Sequence, residues 1–407
     1  MKKIFKLMTI ALVAMCGFTA CDNDCEHDFI EHDFSKALVG TWTCLDEDFA
    51  EAMVIKADGS VEVTGLVDGE YFHSKGTIKV VNNKMIYKLD NGDEWEGRFE
   101  MTTGESFTMV LSEELDVRYT YRYCENDLAD EVVGMWVCTQ TNLPETNMTI
   151  QTYQEDGKSI FTGFSPNSDS FMTNLESTYN VVGDLMFQKT GDMYFVTRLA
   201  YVPNGTSFGD ILNTTATIWV NDAYVTSSYS FLRVKEGLNL TGKTYDYNSA
   251  YVTNAKGTDE DFTMLGHTFN MANINAGNFD MMFRSELFCV DLNANSIKQH
   301  FLPANGQEVA IEIPITVEGN KVTLDLSTEN PAYREVDMYM FQDADDCQLH
   351  MYMHTDAFIN YFANIELYNL LASGEITSDA AAIEKVFADM EARVESINVS
   401  FVLKARE

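Results

Sequence analysis

Basic side chains are scarce in this chain of 407 residues: 27 lysines and arginines stand against 63 aspartates and glutamates, a net charge of −36. So acidic a chain repels phosphate backbones and anionic lipid headgroups, which excludes nucleic acid as a partner and leaves divalent cations and basic partners open. The plainest role of the surplus is solubility. Long apolar runs are missing as well: beyond the first twenty residues no stretch is apolar enough to span a bilayer. Catalytic signatures are also missing, with no H-E-x-x-H, Walker loop, dinucleotide fingerprint or C-x-x-C pair. The G-x-S-x-G match at Gly205-Thr206-Ser207-Phe208-Gly209 follows Pro203-Asn204 and precedes the β-patterned Thr215–Val220. A nucleophile elbow needs a helix there, so the match is read as a loop. Chance carboxylate pairs are many among 63 acids, and nothing marks two of them as buried together. The expectation is a protein that is not an enzyme, with no cofactor and no metal.

What is present begins with an address. Lys2, Lys3 and Lys6 precede an apolar run from Leu7 to Phe18 that is too short for a spanning helix, so residues 1–20 read as a leader. Its loss leaves 24 basic residues, 27 less these three lysines. The run ends Phe18-Thr19-Ala20-Cys21, which resembles a lipobox with Phe18 where leucine is usual. That resemblance implies a lipid on Cys21. The acidic stretch Asp22-Asn23-Asp24-Cys25-Glu26 resembles the surface-export signal of Bacteroidetes lipoproteins. It implies an outer-membrane protein, lipid-anchored and facing the cell exterior. Residues 21–34 then read as an acidic tether. Within it Glu26-His27-Asp28-Phe29 recurs as Glu31-His32-Asp33-Phe34. These ligand types suit a metal ion, but nothing fixes their geometry, and a solvated tether is the simpler reading.

The length implies two to four domains, and the 45% hydrophobic fraction is enough to build their cores. Internal repetition locates them. The segment Asp33–Cys44 aligns without gaps to Asp127–Cys138, at an offset of 94 residues, in a shared Val-Gly-x-Trp-x-Cys frame. A weaker third copy begins at Leu240-Thr241-Gly242-Lys243-Thr244, with Thr244 in the tryptophan's place. Between the first two copies, alternation marks eight candidate strands at 39–46, 52–57, 60–66, 70–81, 84–89, 94–101, 106–111 and 116–124. Asp58-Gly59, Asp68-Gly69, Asn91-Gly92 and Thr103-Gly104 separate them as turns. Short, evenly spaced strands predict an up-and-down meander, and closing it into a barrel removes the exposed edges. The second unit reads the same way.

Gly40-x-Trp42 and Gly134-x-Trp136, each on a first strand after a short helical turn, resemble the lipocalin signature. That resemblance implies an eight-stranded barrel with the tryptophan plugging one end. At about 90–105 residues each unit is much shorter than a true lipocalin. Eight strands enclose a space that side chains just fill or that holds one small ligand, and short strands favour filling.

The predicted fold class is therefore mainly β: tandem small antiparallel up-and-down β-barrels, lipocalin-like, at 35–125 and 126–236, then a third β-domain at 237–407. In the third, strands are expected at 262–271, 279–291, 308–316 and 321–326. A helical hairpin is inserted before the last strand, near 356–372 and 379–395, with Gly374 closing the first helix and Thr377 or Ser378 opening the second. Between them and the earlier strands, Val336–His354 reads as a hairpin pairing Gln342 with Cys347, Met340 with Leu349 and Met338 with Met351. Its sulfur-rich face suits soft Cu(I) or, more simply, core. His350 and His354 lie roughly 13 Å apart along a strand and cannot chelate one ion. Asp343, Asp345 and Asp346 offer oxygen ligands for Ca²⁺ or a solvated turn. Export permits disulfides, yet Cys44 and Cys124 point to opposite sides of the wall; Cys289 with Cys347 is the pair worth testing. The functional expectation is a lipid-anchored binding or interaction protein for a small apolar molecule, a glycan or a neighbouring outer-membrane protein. A structural spacer or assembly component is the alternative, and a hydrolase the third reading.

Overall fold

The computed structural model describes residues 35–407 apart from 47–48, 68, 82, 113–116, 139–148, 165–170, 207–208, 221–222, 265–266, 273, 275, 286–287, 303–307, 329 and 344. The leader, the tether and Cys21 lie outside the described residues. The chain forms three closed eight-stranded antiparallel barrels in series. The first comprises β1 (Gly40–Leu45), β2 (Phe49–Ile55), β3 (Ser60–Val67), β4 (Glu70–Val81), β5 (Lys84–Leu89), β6 (Glu94–Thr103), β7 (Ser106–Ser112) and β8 (Val117–Cys124), paired in chain order. β1 closes on β8 with Trp42 opposite Tyr123. Gly59 and Gly92 take the positive φ that the tight turns need, at 81° and 95°.

The second barrel opens with a short helix α1 (Ala129–Val132), followed by β9 (Gly134–Cys138), β10 (Thr149–Tyr153), β11 (Lys158–Phe164), β12 (Phe171–Val182), β13 (Leu185–Thr190), β14 (Met193–Thr206), β15 (Gly209–Val220) and β16 (Ala223–Val234). It closes through β16 on β9, Trp136 opposite Arg233.

The third barrel begins with β17 (Lys243–Gly257). A small two-stranded sheet, β18 (Phe262–Met264) and β19 (His267–Phe269), and helix α2 (Ala276–Ser285) follow before the meander resumes. That meander is β20 (Cys289–Leu292), β21 (Ser296–Phe301), β22 (Val309–Glu318), β23 (Lys321–Leu324), β24 (Val336–Gln342) and β25 (Gln348–Met353). Helices α3 (Thr355–Ser373) and α4 (Ala380–Arg393) precede the last strand, β26 (Val394–Ala405), which closes on β17. Among the described residues no helix is long and apolar enough to cross a membrane.

The tandem barrels and the helical hairpin are those the sequence pattern predicts, with local corrections. The single strand expected over 262–271 is two short ones, β18 and β19, in a sheet of their own. Residues from 279 onward, expected as a strand, begin inside α2, because Phe279, Met282 and Phe283 recur at helical spacing and all are buried. The cap of α4 is Asp379 itself, whose carboxylate accepts the Ala381 N–H at 2.9 Å, rather than Thr377 or Ser378. The β24–β25 register places Met340 opposite Met351 and Gln342 opposite Leu349, two residues off the expected pairing. A shift of two preserves the faces, so Met338, Met340, Leu349, Met351 and Met353 remain together in the core, while Cys347 moves into the turn and is exposed.

The matched tryptophans do the same job twice. Trp42 donates its indole N–H to the Leu38 carbonyl at 2.8 Å, and Trp136 to the Val132 carbonyl at 2.7 Å; both rings are buried. Each closes a barrel base by tying the first strand to the turn before it. The residue facing the ring from the last strand differs. Tyr123 meets Trp42 edge-on at 5.2 Å, whereas the Arg233 guanidinium lies 4.4 Å over Trp136. In the third barrel Thr244, at the tryptophan's position, donates its hydroxyl to Asp291 at 2.6 Å, and helices supply the core bulk instead.

The barrels pack against one another through apolar outer faces. Ala50 and Ala52 of β2, with Leu66 and Tyr71, meet Leu185, Phe187 and Val196 of the second barrel. Beside them Asp184 accepts the Thr43 hydroxyl at 2.6 Å and the Cys124 thiol at 3.2 Å. At the other junction Met135, Val137, Ile150 and Val234 pack on Phe341 and Tyr352. The linker is latched to the β24–β25 turn: Lys235 Nζ and Asn239 Nδ2 donate to Asp346 at 2.9 and 2.7 Å, and Asn239 N donates to Gln342 Oε1.

Candidate functional site: the interior of the second barrel

With eight strands each, the three barrels enclose similar cross-sections, so what fills each one depends on the inward side chains. In the first they are large and apolar: Met53, Ile78, Met85, Phe99, Phe107 and Met109 pack into one core. A single carboxyl interrupts it. Glu51 is buried and accepts the Tyr121 hydroxyl at 2.8 Å. Desolvation pushes the Glu51 carboxyl up to about 7, partly offset by that hydrogen bond. Nearby, burial first and the Glu51 charge second hold the Cys44 thiol up at about 12, so it stays protonated and is no nucleophile. In the third barrel Phe279 and Phe283 of α2 pack against Phe288 and Phe401, and Tyr361 of α3 donates to Gln299 Oε1 at 2.6 Å. Both interiors are occupied by their own side chains.

The second barrel differs. Antiparallel partners share a face, so the ladder identifies the inward positions from Trp136 onward. Gln151 pairs with Trp136, Ser159 with Tyr153 and Ser177 with Ser159. Gln188 pairs with Tyr179, Thr197 with Met186 and Thr214 with Leu199. Gln151, Ser159, Ser177, Gln188, Thr197 and Thr214 are all buried. They form a belt of amides and hydroxyls above an apolar base of Trp136, Cys138, Tyr153, Met186, Leu199 and Leu212. Part of the belt is satisfied internally: Gln188 Nε2 donates to the Ser159 hydroxyl at 3.1 Å, and the Ser177 and Thr190 hydroxyls are 2.7 Å apart. Gln151 Nε2 is buried with no hydrogen-bond partner among the described residues, its side chain's residue only 7% exposed. Such a group is costly unless something pairs with it.

Two further features mark this interior. Part of its lining is small, with Ser159, Ser177, Thr197, Thr214, Ala216 and Ser227 at inward positions. Inward-facing Phe161, Phe195 and Tyr229 are half-buried rather than sealed. Among the described inward side chains, charge sits at the base. There Arg233 donates to the Glu131 and Val133 carbonyls and pairs with Asp210 at 3.2 Å, and Asp210 also accepts the Tyr201 hydroxyl at 2.7 Å.

The residues singled out from sequence fall elsewhere. Cys21 and the histidine-containing tether lie outside the described residues. Gly205 and Gly209 flank the β14–β15 turn, Ser207 lies outside the described residues, and an antiparallel strand follows where an elbow needs a helix. His350 stacks on Phe341 at 5.1 Å on the outer wall of the third barrel, and desolvation pulls its imidazole down to about 4, so it stays neutral. His354 caps α3, its Nδ1 accepting the Asp356 N–H at 3.2 Å. Asp343 Oδ1 accepts the Cys347 and Gln348 N–H groups at 2.6 and 3.0 Å, and Asp346 holds the linker. Among the described residues no three His, Cys, Asp or Glu side chains are placed to hold one metal ion. Cys289 and Cys347 are in no disulfide, so that pair does not form. The polar belt escaped sequence reading. Its signal was present in Met186-Gln188-Thr190 and Ser177-Tyr179-Val181, where polar residues alternate in step with apolar core residues.

No protein-family model matches the sequence, and no curated protein matches it either. Among solved structures, a tryptophan-to-alanine mutant of the vaccine antigen Transferrin Binding Protein B from Haemophilus parasuis Hp5 matches over 88% of this chain and 66% of its own, at 8% identity and a TM-score of 0.23. The chain thus spans just under two thirds of the length of that protein.

Proposed function

We propose that this chain is a non-catalytic binding protein, built of tandem lipocalin-like barrels and held by a lipid on Cys21 to the outer membrane, facing the cell exterior, with the second barrel as its ligand site. The observation that carries the reading is the contrast between interiors: large apolar side chains dominate the first, helices pack into the third, while a belt of buried amides and hydroxyls crosses the second, with Gln151 Nε2 unpaired among the described residues. Two buried reactive groups favour binding over catalysis: Cys44 is held protonated, and Glu51 is enclosed in the first barrel's core. The anchor rests on Lys2, Lys3, Lys6 and the Thr19-Ala20-Cys21 junction. Native mass spectrometry of the purified protein tests the binding site, with a co-purifying small molecule as the expected result. Metabolic labelling with a fatty acid tests the anchor. Label should enter the wild type and not Cys21→Ala, and equal labelling of both would refute it.

A second reading is favoured by the barrel junctions. Apolar contacts and the Asp346 latch hold neighbouring barrels in fixed relation, as a spacer arm or assembly component requires.

A further inference from the structure

We infer that the second barrel takes a neutral, hydroxyl-rich small molecule of the saccharide class. This inference rests on the reading of that interior as the binding site, and it names what the belt selects. An apolar ligand would bury Gln151 against hydrocarbon and leave its amide N–H unpaired. A charged ligand would need a counter-charge. The charged inward pair among the described side chains, Asp210 and Arg233, sits at the base and is already spent on itself, on two carbonyls and on Tyr201. What remains is an uncharged belt offering amide N–H, amide oxygen and hydroxyl groups in one ring.

A sugar meets that set on both counts. Its hydroxyls both donate and accept, so one can accept from Gln151 Nε2 while others bridge the Ser177, Thr197 and Thr214 hydroxyls. Its C–H faces suit aromatic surfaces. Phe195 pairs directly with Gln188, and Tyr229 with Thr214, so an aromatic side chain stands beside a polar one on two parts of the wall. The inward side chains at Ser159, Thr214, Ala216 and Ser227 are smaller than the Met53, Met85, Phe99 and Phe107 that pack inside the first barrel.

The test is isothermal titration of the full chain with a panel of neutral hexoses, pentoses, N-acetylhexosamines and their disaccharides, and with palmitic acid as an apolar probe. Two variants accompany it: Thr214→Leu, which fills the lumen, and Gln188→Met, which keeps the volume but removes the amide and safeguards the test if the first fails to fold. The expected result is binding of at least one saccharide, weakened tenfold or more by Gln188→Met and abolished by a folded Thr214→Leu, with no palmitate binding. Palmitate binding that Thr214→Leu blocks, without saccharide binding, overturns the ligand class and leaves the site standing. Saccharide binding unchanged by Gln188→Met places the sugar elsewhere and overturns this inference. Binding of neither probe class overturns both the ligand class and the site.

Discussion

Tyr121 donates its hydroxyl to Glu51 at 2.8 Å inside the first barrel, where neither side chain faces solvent. A carboxyl in that setting is stable as the neutral acid. Charging it against Phe107, Met53 and Cys44 costs energy that one hydroxyl only partly offsets. The polar pair is a defect in an otherwise apolar core, and it makes the barrel sensitive to pH.

The sign follows from the direction of the shift. The folded-state value, about 7, lies above the ordinary 4.5, so between these values the folded barrel holds a proton that the unfolded chain has lost. Stability is therefore full below about 4.5, falls as pH rises to about 7 and levels off above it. For a group so buried the difference is on the order of 3 kcal/mol. Glu51→Gln should remove this component. Hydrogen exchange of the β2 and β8 amides at pH 5 and pH 8 measures it, and an identical pH dependence in wild type and variant would show that Glu51 is not the source.

The two Gly-x-Trp frames predict unequal glycine substitutions. Gly40 and Gly134 share the same backbone, at φ values of 136° and 131°. A Cβ on Gly40 would lie 2.5 Å from the Tyr123 ring, but on Gly134 it would meet the Arg233 guanidinium at 3.1 Å. The overlap at Gly40 is the deeper of the two, so the Tyr123 ring must move further than the Arg233 guanidinium. Gly40→Ala should cost roughly 3 kcal/mol and Gly134→Ala roughly 1–2, mostly backbone strain. Tyr123→Ala should recover part of the first cost and none of the second, as read by urea denaturation of each pair.

The junction between the first two barrels predicts a change of shape without unfolding. Phe187 is buried between them rather than inside either core. Phe187→Asp should release the contact with Ala50 and Ala52, raising the radius of gyration in small-angle scattering while far-UV circular dichroism stays unchanged. An unchanged radius would mean that the Asp184 hydrogen bonds to Thr43 and Cys124 hold the junction alone.

Much of this fold is legible in the residues, and the limits have physical causes. In the first barrel the expected strand 70–81 coincides with β4 and 84–89 with β5, because alternation and Asp-Gly or Asn-Gly turns act locally. The tryptophan frames identify two barrel bases because each first strand begins on a glycine at positive φ, Gly40 at 136° and Gly134 at 131°. Helix α2 was misread because Phe279, Phe283 and Phe288 are aromatic residues of high β-propensity, and tertiary packing overrode that preference. The belt in the second barrel was hidden for another reason. Ser159, Gln188 and Thr214 are ordinary outward-type residues, and they become a site only through the register that turns them inward alongside Tyr153, Met186 and Leu199.

The central claim, that the second barrel is a lined space and not a packed core, is tested most directly by a high-resolution crystal structure of the protein as purified. The account predicts electron density from a bound molecule or ordered waters within hydrogen-bonding distance of Gln151 Nε2, Gln188 and Thr214. Side chains closing over Gln151 and pairing its amide, with no density between the walls, would contradict it.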